Sequence, residues 1–343
     1  MGNETITVYD IAREAGVSPA TVSRVLTGNA KVSEEKLKRV QDIIKKYEFE
    51  PNSFARSLSK QESKTIGMIV PDIRNPFYST LFVNCEMEAL RYGYNMILCN
   101  TINELSSESG QLKNLTEKRV DAVIQVGGSV DEVQPDPNYI GLVNKIGKKI
   151  PIVIAGELNG ADVYRVMPET SHGMNELLEY LTELGHRDIA LLGGLDTVVP
   201  TLKKRVALKN YLLTHQLPYH PEFIISSLYS VEGGYEAAKK LLELDRLPTA
   251  IIAINESTAI GIIRALNEKG IDIPGDISLA GYDDTFYSEM TSPQLTCVSY
   301  NLGSYARLIM ETIFRIINKE EEEKVKYINT YLAKRDSCRD YRG

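Results

Sequence analysis

The first fifty residues form a series of short amphipathic segments separated by turn signals. Between Val8 and Ala15, apolar residues recur at the i, i+3, i+4, i+7 spacing of one helical face. Thr7 and Asp10 have the spacing of a capping box, and Gly16 is a typical C-terminal stop. The pattern therefore predicts a short helix that ends just before a second one begins.

The second helix is predicted in the segment PATVSRVL. Ser18 is suited to cap it and Pro19 to occupy its first position, and Ser33 caps a third helix that completes a small core. Two helices separated by a glycine-containing turn predict a helix-turn-helix, whose second helix enters the major groove of DNA. On that helix, Arg24 is the leading candidate to read a guanine edge, and an ordinary solvated arginine is the alternative.

From residue 65 onward, apolar runs of strand length alternate with amphipathic helical segments. TIGMIVPD, NMILCNT, VDAVIQVGG and PIVIAGE are separated by helix-length stretches, and the alternation continues to SLAGYDD. This alternation is typical of parallel sheets covered by helices on both faces. Two sheets fit the number of strands better than one. The polar stretch EPNSFARSLSKQESK that precedes them predicts a domain boundary.

Charge is distributed unevenly between these two parts of the chain. Residues 1–64 carry 11 Lys and Arg against 9 Asp and Glu, whereas the remainder carries 28 against 37. An acidic body repels nucleic acid, so any DNA contact is expected from the N-terminal segment. With 343 residues, of which 43% are hydrophobic and 25% charged, the chain has the composition of a globular protein with more than one domain.

The sequence lacks the signals of several other protein classes. It has no apolar stretch of about 18 residues and no basic-then-apolar start, which favours a cytoplasmic location. Its four cysteines and four histidines are dispersed without metal-ligand spacing, so neither a metal nor a cofactor is expected. Because GxGxxG, GxxxxGK[ST] and GxSxG motifs are missing, an enzyme is the minor hypothesis.

Several motifs together resemble the LacI/GalR family of bacterial transcription regulators. They are VYDIAREAGVSPATVSRVLTGNAKVS, FEPNSFARSL and TIGMIVPDIRNPFY. The resemblance implies a small all-α helix-turn-helix DNA-binding domain followed by an α/β core of two periplasmic-binding-protein-like subdomains, each Rossmann-like with a parallel sheet. It implies a DNA-binding domain at residues 1–50, a hinge helix and linker at 51–64, and an effector-binding and dimerisation core at 65–343. Within that core, one subdomain is expected from 65–161 plus 293–320 and the other from 162–292 plus 321–335.

The family pattern also implies which residues contact operator DNA. Phosphate contacts fall to Tyr9, Ser18, Thr21, Ser23, Asn29 and Asn52, base contacts to Pro19, Ala20 and Arg24, and hinge contacts to Ala55 and Leu58. In the family, paired hinge helices open the minor groove, and a leucine matching Leu58 wedges into a central base step. Phe49 and Glu50 depart from the pattern, since one removes a hydroxyl and the other adds a negative charge.

The same pattern implies an effector cleft between the two subdomains. The first subdomain contributes Asp72, Asn75, Phe77 and Tyr78, and the second contributes Arg205, Tyr229, Asn255 and Asp283. Ligand binding at the carboxyl ends of parallel strands is expected on general grounds as well. Gly156 stands where sugar-binding relatives often have an Asp, which disfavours a galactoside-like ligand, and Glu256 stands where Asp is usual.

The sequence thus predicts a DNA-binding regulator, in the form of a repressor, that acts as a homodimer on a pseudo-palindromic operator. Its expected effector is a small molecule, a sugar or sugar derivative. A protein corepressor, as in the catabolite-control branch, is the alternative, although Glu311 stands where that branch is expected to have a basic residue. A ligand-binding protein without DNA activity and an enzyme remain as further alternatives.

Overall fold

The computed structural model describes residues 6–27, 32–47, 49 and 62–341. The chain divides into two compact units, Met1–Ser63 and Lys64–Gly343. In the first unit, the described residues form helices α1 (Val8–Ala15), α2 (Pro19–Thr27) and α3 (Glu34–Lys46). These are the three helices that the amphipathic pattern predicts.

Capping and a small apolar core organise the first unit. The Thr7 side chain accepts a hydrogen bond from the Asp10 N–H at 3.3 Å, and the Asp10 carboxylate accepts one from the Thr7 N–H at 3.1 Å. Gly16 ends α1 in the left-handed conformation, with φ at +62°. Ile11 and Val22 are fully buried, and burying a side chain of this size contributes roughly 1.5–3 kcal/mol. Because Val22 packs into this core, the opposite, polar face of α2 is exposed to solvent.

The second unit contains two sheets of six strands each. The first sheet consists, in spatial order, of β11 (Val325–Ile328), β5 (Tyr164–Pro168), β4 (Ile152–Ala155), β3 (Ala122–Val126), β1 (Thr65–Val70) and β2 (Asn95–Asn100). The second consists of β12 (Tyr331–Ala333), β10 (Thr296–Ser299), β9 (Ser278–Asp283), β8 (Ala250–Ala253), β6 (Ile189–Leu192) and β7 (Ile224–Ile225). Neighbouring strands are parallel, except that β10 and β12 are antiparallel. The two-sheet α/β architecture is the one predicted.

Helices connect these strands and cover both sheets. They are α4 (Pro76–Arg91), α5 (Leu105–Glu117), α6 (Pro137–Gly147), α7 (Thr170–Glu183), α8 (Val199–Thr214), α9 (Val231–Leu242), α10 (Glu256–Glu268), α11 (Phe286–Met290) and α12 (Leu302–Ile317). Strands β3, β4, β8 and β9 are buried at every position, as expected for sheets covered on both faces. Within the described residues, no helix is long and apolar enough to cross a membrane.

The subdomain boundaries differ from those predicted, because three strands pair with other neighbours. Strand β5 pairs with β4 and therefore lies in the first sheet, so the chain first crosses over after Pro168 and not after residue 161. Strand β10 pairs with β9 in the second sheet, so the return crossover follows Ser299. Strand β11 pairs with β5 in the first sheet, and only β12 returns to the second. Hydrogen-bond pairing between distant segments decides these assignments, and an apolar run alone does not reveal its partner.

Helix α12 belongs with the first subdomain, as predicted for residues 302–317. The buried Tyr305 hydroxyl donates a hydrogen bond to the Val166 carbonyl of β5 at 2.9 Å. The Tyr92 ring, just after α4, stacks on Phe314 of α12 with ring centroids 3.9 Å apart. The subdomains are joined by three crossovers, after Pro168, Ser299 and Ile328, and residues at the carboxyl ends of strands from both sheets line the cleft between them.

Candidate DNA-binding and effector-binding sites

The exposed face of α2 contains most of the predicted DNA contacts that the structure describes. Ser18, Pro19, Ala20 and Arg24 are exposed. The Thr21 N–H donates to the Ser18 hydroxyl oxygen at 3.2 Å, and the two hydroxyls lie 2.9 Å apart, so they cluster at the start of the helix. Backbone N–H groups and hydroxyls at a helix N-terminus suit phosphate oxygens.

The remaining predicted DNA contacts are partly outside the described chain. Tyr9 on α1 is 70% exposed, and Ser23 on α2 is partly buried. Asn29, Asn52, Ala55 and Leu58 lie outside the described residues. The described part of the site therefore consists of Tyr9 near the start of α1, the N-terminal turn of α2 with its cap Ser18, and Ser23 and Arg24 further along α2.

A cleft of about 600 Å³ lies between the two subdomains of the second unit. Seven of the eight predicted effector residues line it: Asp72, Asn75, Phe77, Tyr78, Tyr229, Asn255 and Asp283. They come from loops and helix starts that follow the strands. A volume of this size fits a small organic ligand.

Helix caps position two of these residues. The Asn75 side chain accepts from the Phe77 N–H at 3.0 Å and caps α4. The Asn255 side chain accepts from the Thr258 N–H at 2.9 Å and caps α10, while its amide nitrogen donates to the Tyr229 carbonyl at 3.3 Å. The two N-terminal helix ends are thereby fixed at the cleft wall, with their partial positive charge facing it.

The prediction for Arg205 requires correction, because Arg205 is not among the residues that line the cleft. Its Nη2 donates to the carbonyls of Gly193 and Gly194 at 3.1 and 3.2 Å and to the Ser226 hydroxyl at 3.1 Å, and its Nη1 pairs with Asp196. Both glycines have positive φ, which turns their carbonyls toward α8. Arg205 therefore positions the loop that follows β6.

The neighbouring Lys204 lines the cleft instead, and the sequence analysis missed it. Lys204 is 4% exposed, its Nζ donates to the Ile254 carbonyl at 3.0 Å, and it lies 3.7 Å from the centre of the Tyr282 ring. Burial lowers the pKa of Lys204, and the charge of Asp283 opposes this shift. Burial likewise raises the pKa of Asp283, opposed by Lys204. Lys204 and Asp283 are thus buried groups of the second subdomain's wall that influence each other's pKa through their charges.

Asp131, in the short 3-10 turn Gly128–Asp131 after β3, is a second cleft residue that the sequence analysis missed. Its Oδ1 is buried and has no hydrogen-bond partner among the residues that the structure describes. Burial and the nearby Glu157 raise the pKa of Asp131 to about 7, while Lys203 opposes the shift. A β-carbon at Gly156 would lie only 2.5 Å from this oxygen. The missing side chain at residue 156 thus leaves room for the carboxylate of Asp131.

A buried polar network supports the turn that carries Asp131. The Glu108 carboxylate, 2% exposed, accepts from the Gln125 amide at 3.1 Å and from the Ser129 N–H at 3.2 Å. The Tyr139 hydroxyl donates to the Gln125 side-chain oxygen at 2.7 Å. Burial raises the pKa of Glu108, and the hydrogen bonds from Ser129 oppose it. Because its members satisfy one another, this network rigidifies the first subdomain's wall.

Glu256, which stands where Asp is usual, stabilises a loop in the second subdomain as Glu108 does in the first. Its buried carboxylate accepts hydrogen bonds from the Thr285 N–H at 2.7 Å and from the Thr285 hydroxyl. Burial and the charge of Asp283 raise the pKa of Glu256 to about 7, and the two bonds from Thr285 lower it. The longer side chain thus fixes the loop that follows Asp283 and does not point the charge at a ligand position.

The two subdomains touch at the rim of the cleft. The Val133 N–H donates to the Thr197 carbonyl at 2.8 Å, and Glu132 and Val198 form an isolated antiparallel bridge. The Glu157 carboxylate pairs with the Lys203 ammonium across the cleft. Among the described residues, no group of three or more His, Cys, Asp and Glu side chains is placed to hold a metal ion.

Known proteins resemble the chain in both of its units. The family model described as bacterial regulatory proteins, lacI family, matches residues 7–52, and a periplasmic binding protein-like domain matches residues 178–338. The chain is 34% identical over 318 residues to catabolite control protein A of Priestia megaterium, covering 92% of this chain and 93% of that protein. It is 32% identical to the HTH-type transcriptional regulator RegA of Clostridium saccharobutylicum, covering 96% and 98%.

Solved structures show the same fold. The lac repressor dimer bound to operator and the anti-inducer ONPF has a TM-score of 0.85 at 23% identity, covering 98% of this chain and 100% of that one. A LacI family transcriptional regulator from Enterococcus faecium with bound ribose has a TM-score of 0.71 at 28% identity, covering 81% and 100%. From the helix-turn-helix, the two-sheet core and these relatives together, it follows that the chain belongs to the LacI family of bacterial regulatory proteins.

Proposed function

We propose that this regulator is a repressor that binds a pseudo-palindromic operator as a homodimer. Its affinity for the operator changes when a small molecule binds in the cleft. The observation that carries the proposal is the pairing of an exposed, polar recognition helix with a ligand-sized cleft in one chain. The acidic body makes the N-terminal unit the natural DNA contact. Binding of the ligand, without turnover, is sufficient for this role.

Exposed apolar side chains support self-association of the core. On α4, Val83, Met87 and Leu90 are 49%, 51% and 59% exposed, and they follow one another on a single helical face. On α11, Phe286 and Met290 are 55% and 73% exposed. Apolar patches of this kind mark protein interfaces. The lac repressor structure to which the chain is similar is a dimer on its operator, which fits a dimer formed through these faces.

The effector is inferred to be a sugar or sugar derivative. The walls of the cleft combine rings of Phe77, Tyr78 and Tyr229 with the polar groups of Asn255 and Asp283. Rings stack on sugar faces, and carboxylates accept hydrogen bonds from hydroxyls. Two structurally similar regulators were solved with cellobiose and with ribose bound, in keeping with this class.

A protein corepressor is the second candidate, because catabolite control protein A is among the relatives. The exposed face of α12 argues against a phosphorylated partner there. Arg307 lies 3.8 Å from Glu88, and Arg315 lies 3.3 and 3.4 Å from Glu320 and Glu322. Between the two arginines, Glu311 is exposed and adds a negative charge. A face whose cations already have acidic neighbours gives a phosphate little net attraction.

The experiment that tests the proposal selects bound sequences from a random DNA library with the full chain and measures their affinity by fluorescence anisotropy. We expect enrichment of two inverted half-sites and an affinity that falls steeply with salt. Enrichment of nothing, or of one asymmetric site bound by a monomer, would refute the proposal.

A further inference from the structure

The cleft holds an acid whose charge the chain itself does not balance. Asp72 pairs with Arg74 at 2.8 Å, Glu157 pairs with Lys203, and the charge of the buried Lys204 opposes the upward shift in the pKa of Asp283. Asp131 is left with a buried Oδ1 that no described residue contacts through a hydrogen bond. A buried polar atom without a partner is uncommon in folded proteins and points to an atom supplied from outside.

Asp131 and Asp283 come from opposite walls and share the same aromatic surroundings. Asp131 follows β3 in the first subdomain, and Asp283 ends β9 in the second. Burial, followed by the charges of both Asp131 and Asp283, raises the pKa of Tyr78. Burial, Asp283 and more weakly Asp131 do the same for Tyr300. The two tyrosines thus lie within the electrostatic reach of both acids.

These rings form a continuous wall. Phe77 packs edge-to-face on Tyr78 and on Tyr300, with ring centroids 5.2 and 5.8 Å apart. Aromatic faces attract cations, most strongly when water is excluded. A cation seated between the walls would therefore meet two carboxylates and aromatic rings. An anionic ligand would instead meet the like charges of both carboxylates, offset by the buried ammonium of Lys204 and by the partial positive charge of the two helix N-termini at Asn75 and Asn255.

We propose that Asp131 is the specificity-determining residue of the cleft and that, together with Asp283, it selects a ligand that carries a protonated amine, such as an amino sugar. This inference rests on the proposed function of the cleft as the effector site. Neutral hydroxyls would satisfy the hydrogen bonds of Asp131 and leave its charge unbalanced. The amine satisfies both requirements, and the two carboxylates disfavour phosphorylated or acidic ligands relative to it.

A ligand-free experiment tests the unbalanced charge directly. Asp131→Asn keeps the shape and removes the charge, so the variant should melt several degrees above the parent at pH 8, with a smaller gain at pH 5. The ionisable groups near Asp131 are Glu157, Lys203 and Glu108 together with Tyr78, Tyr229, Tyr300 and Tyr305, and all remain in place. The matched control Glu117→Gln removes one exposed negative charge of α5 and should leave the melting temperature unchanged. An Asp131→Asn variant that melts at or below the parent at pH 8 would overturn the proposal.

A ligand panel then tests the amine. The probes are glucosamine, glucose and glucuronate, which share a ring and differ in charge, and putrescine, butane-1,4-diol and succinate as an open-chain set. We expect one or more of the amines to raise the melting temperature of the full chain, with the shift lost in Asp131→Asn and kept in Glu117→Gln. A larger shift from a neutral or anionic member, an amine shift that survives in Asp131→Asn, or no shift from either amine would each overturn it.

The outcomes separate this inference from the proposed function. If glucose shifted the melting temperature and changed operator affinity, the cleft would be the effector site and the amine inference would be wrong. If an amine bound through Asp131 without changing operator affinity, the amine inference would stand and the regulatory role of the cleft would fall.

Discussion

Gly156→Asp offers a sharp test of where Asp131 lies. The new β-carbon would sit 2.5 Å from the Asp131 Oδ1 and 3.1 Å from a Val130 methyl carbon, so the Asp131 side chain must rotate away. The new carboxylate would then share a partly dry site with Asp131. Two like charges about 4 Å apart repel by about 4 kcal/mol at an effective dielectric constant of 20. For a unit of this size, that loss lowers the melting temperature by roughly 8 °C.

The size of this effect depends on pH and on Asp131 itself. Because burial and Glu157 raise the pKa of Asp131 to about 7, it is ionised at pH 8 and mostly neutral at pH 5, so the penalty should shrink at pH 5. Gly156→Asn adds the same bulk without the charge and measures the steric part. Asp131→Ala combined with Gly156→Asp removes both parts and should restore the melting temperature.

The assay is differential scanning fluorimetry at pH 8 and pH 5 of the parent, Gly156→Asp, Asp131→Ala and the combined variant, which close a double-mutant cycle, with Gly156→Asn as the steric control. We expect a coupling energy of about 3 kcal/mol or more between the two positions at pH 8. Equal effects of Gly156→Asp with and without Asp131 would show that the two side chains do not meet, and the arrangement of the first subdomain's wall would then be wrong.

Three further predictions concern other parts of the chain. Arg205→Lys keeps the charge but cannot donate to both glycine carbonyls, so the melting temperature should fall. The ligand dissociation constant, measured by calorimetry, should change less than threefold. A loss of ligand binding at unchanged stability would place Arg205 in the cleft after all. Burial lowers the pKa of His186 to about 4, and a hydrogen bond to the Arg339 carbonyl opposes this shift. The unfolded state therefore takes up a proton at a higher pH than the folded state does. The free energy of unfolding should fall as pH drops below about 6.5, by about 2 kcal/mol at pH 5. His186→Gln should flatten that fall in melting curves recorded from pH 7.5 to 5, and an unchanged slope would contradict the buried neutral imidazole. Arg24→Ala should weaken binding to the selected operator tenfold or more with little effect on scrambled DNA, and an equal loss on both duplexes would make Arg24 a phosphate contact.

Much of the fold follows from local pattern, because local pattern is what fixes helices and their ends. The start and end of α1 are predicted from the capping residues Thr7, Asp10 and Gly16, and the structure contains the predicted capping box. The alternation of strands and helices likewise indicates two parallel sheets. The sheet to which β5 or β11 belongs depends on pairing between residues 164–168 and 325–328, which no local signal encodes.

The candidate site was predicted where a residue stands at a strand end or helix cap, as Asn75, Asn255 and Asp283 do. Lys204 was missed because the run of Lys203, Lys204 and Arg205 looks like a charged helix surface, and only packing of α8 decides which of the three turns inward. The orientation of α8 about its own axis buries Lys204 and directs Arg205 to the carbonyls of the loop after β6. Asp131 was missed because its burial depends on the absent side chain at residue 156, a tertiary relationship.

The most direct test of the account measures operator affinity of the full chain against the concentration of a ligand that raises its melting temperature. By linkage, operator affinity should change with ligand concentration, and the midpoint should follow the ligand's own dissociation constant. Asp283→Asn should bind the operator without ligand and lose the response. Operator affinity that stays constant at saturating ligand, or an unchanged response in Asp283→Asn, would contradict control of DNA binding through this cleft.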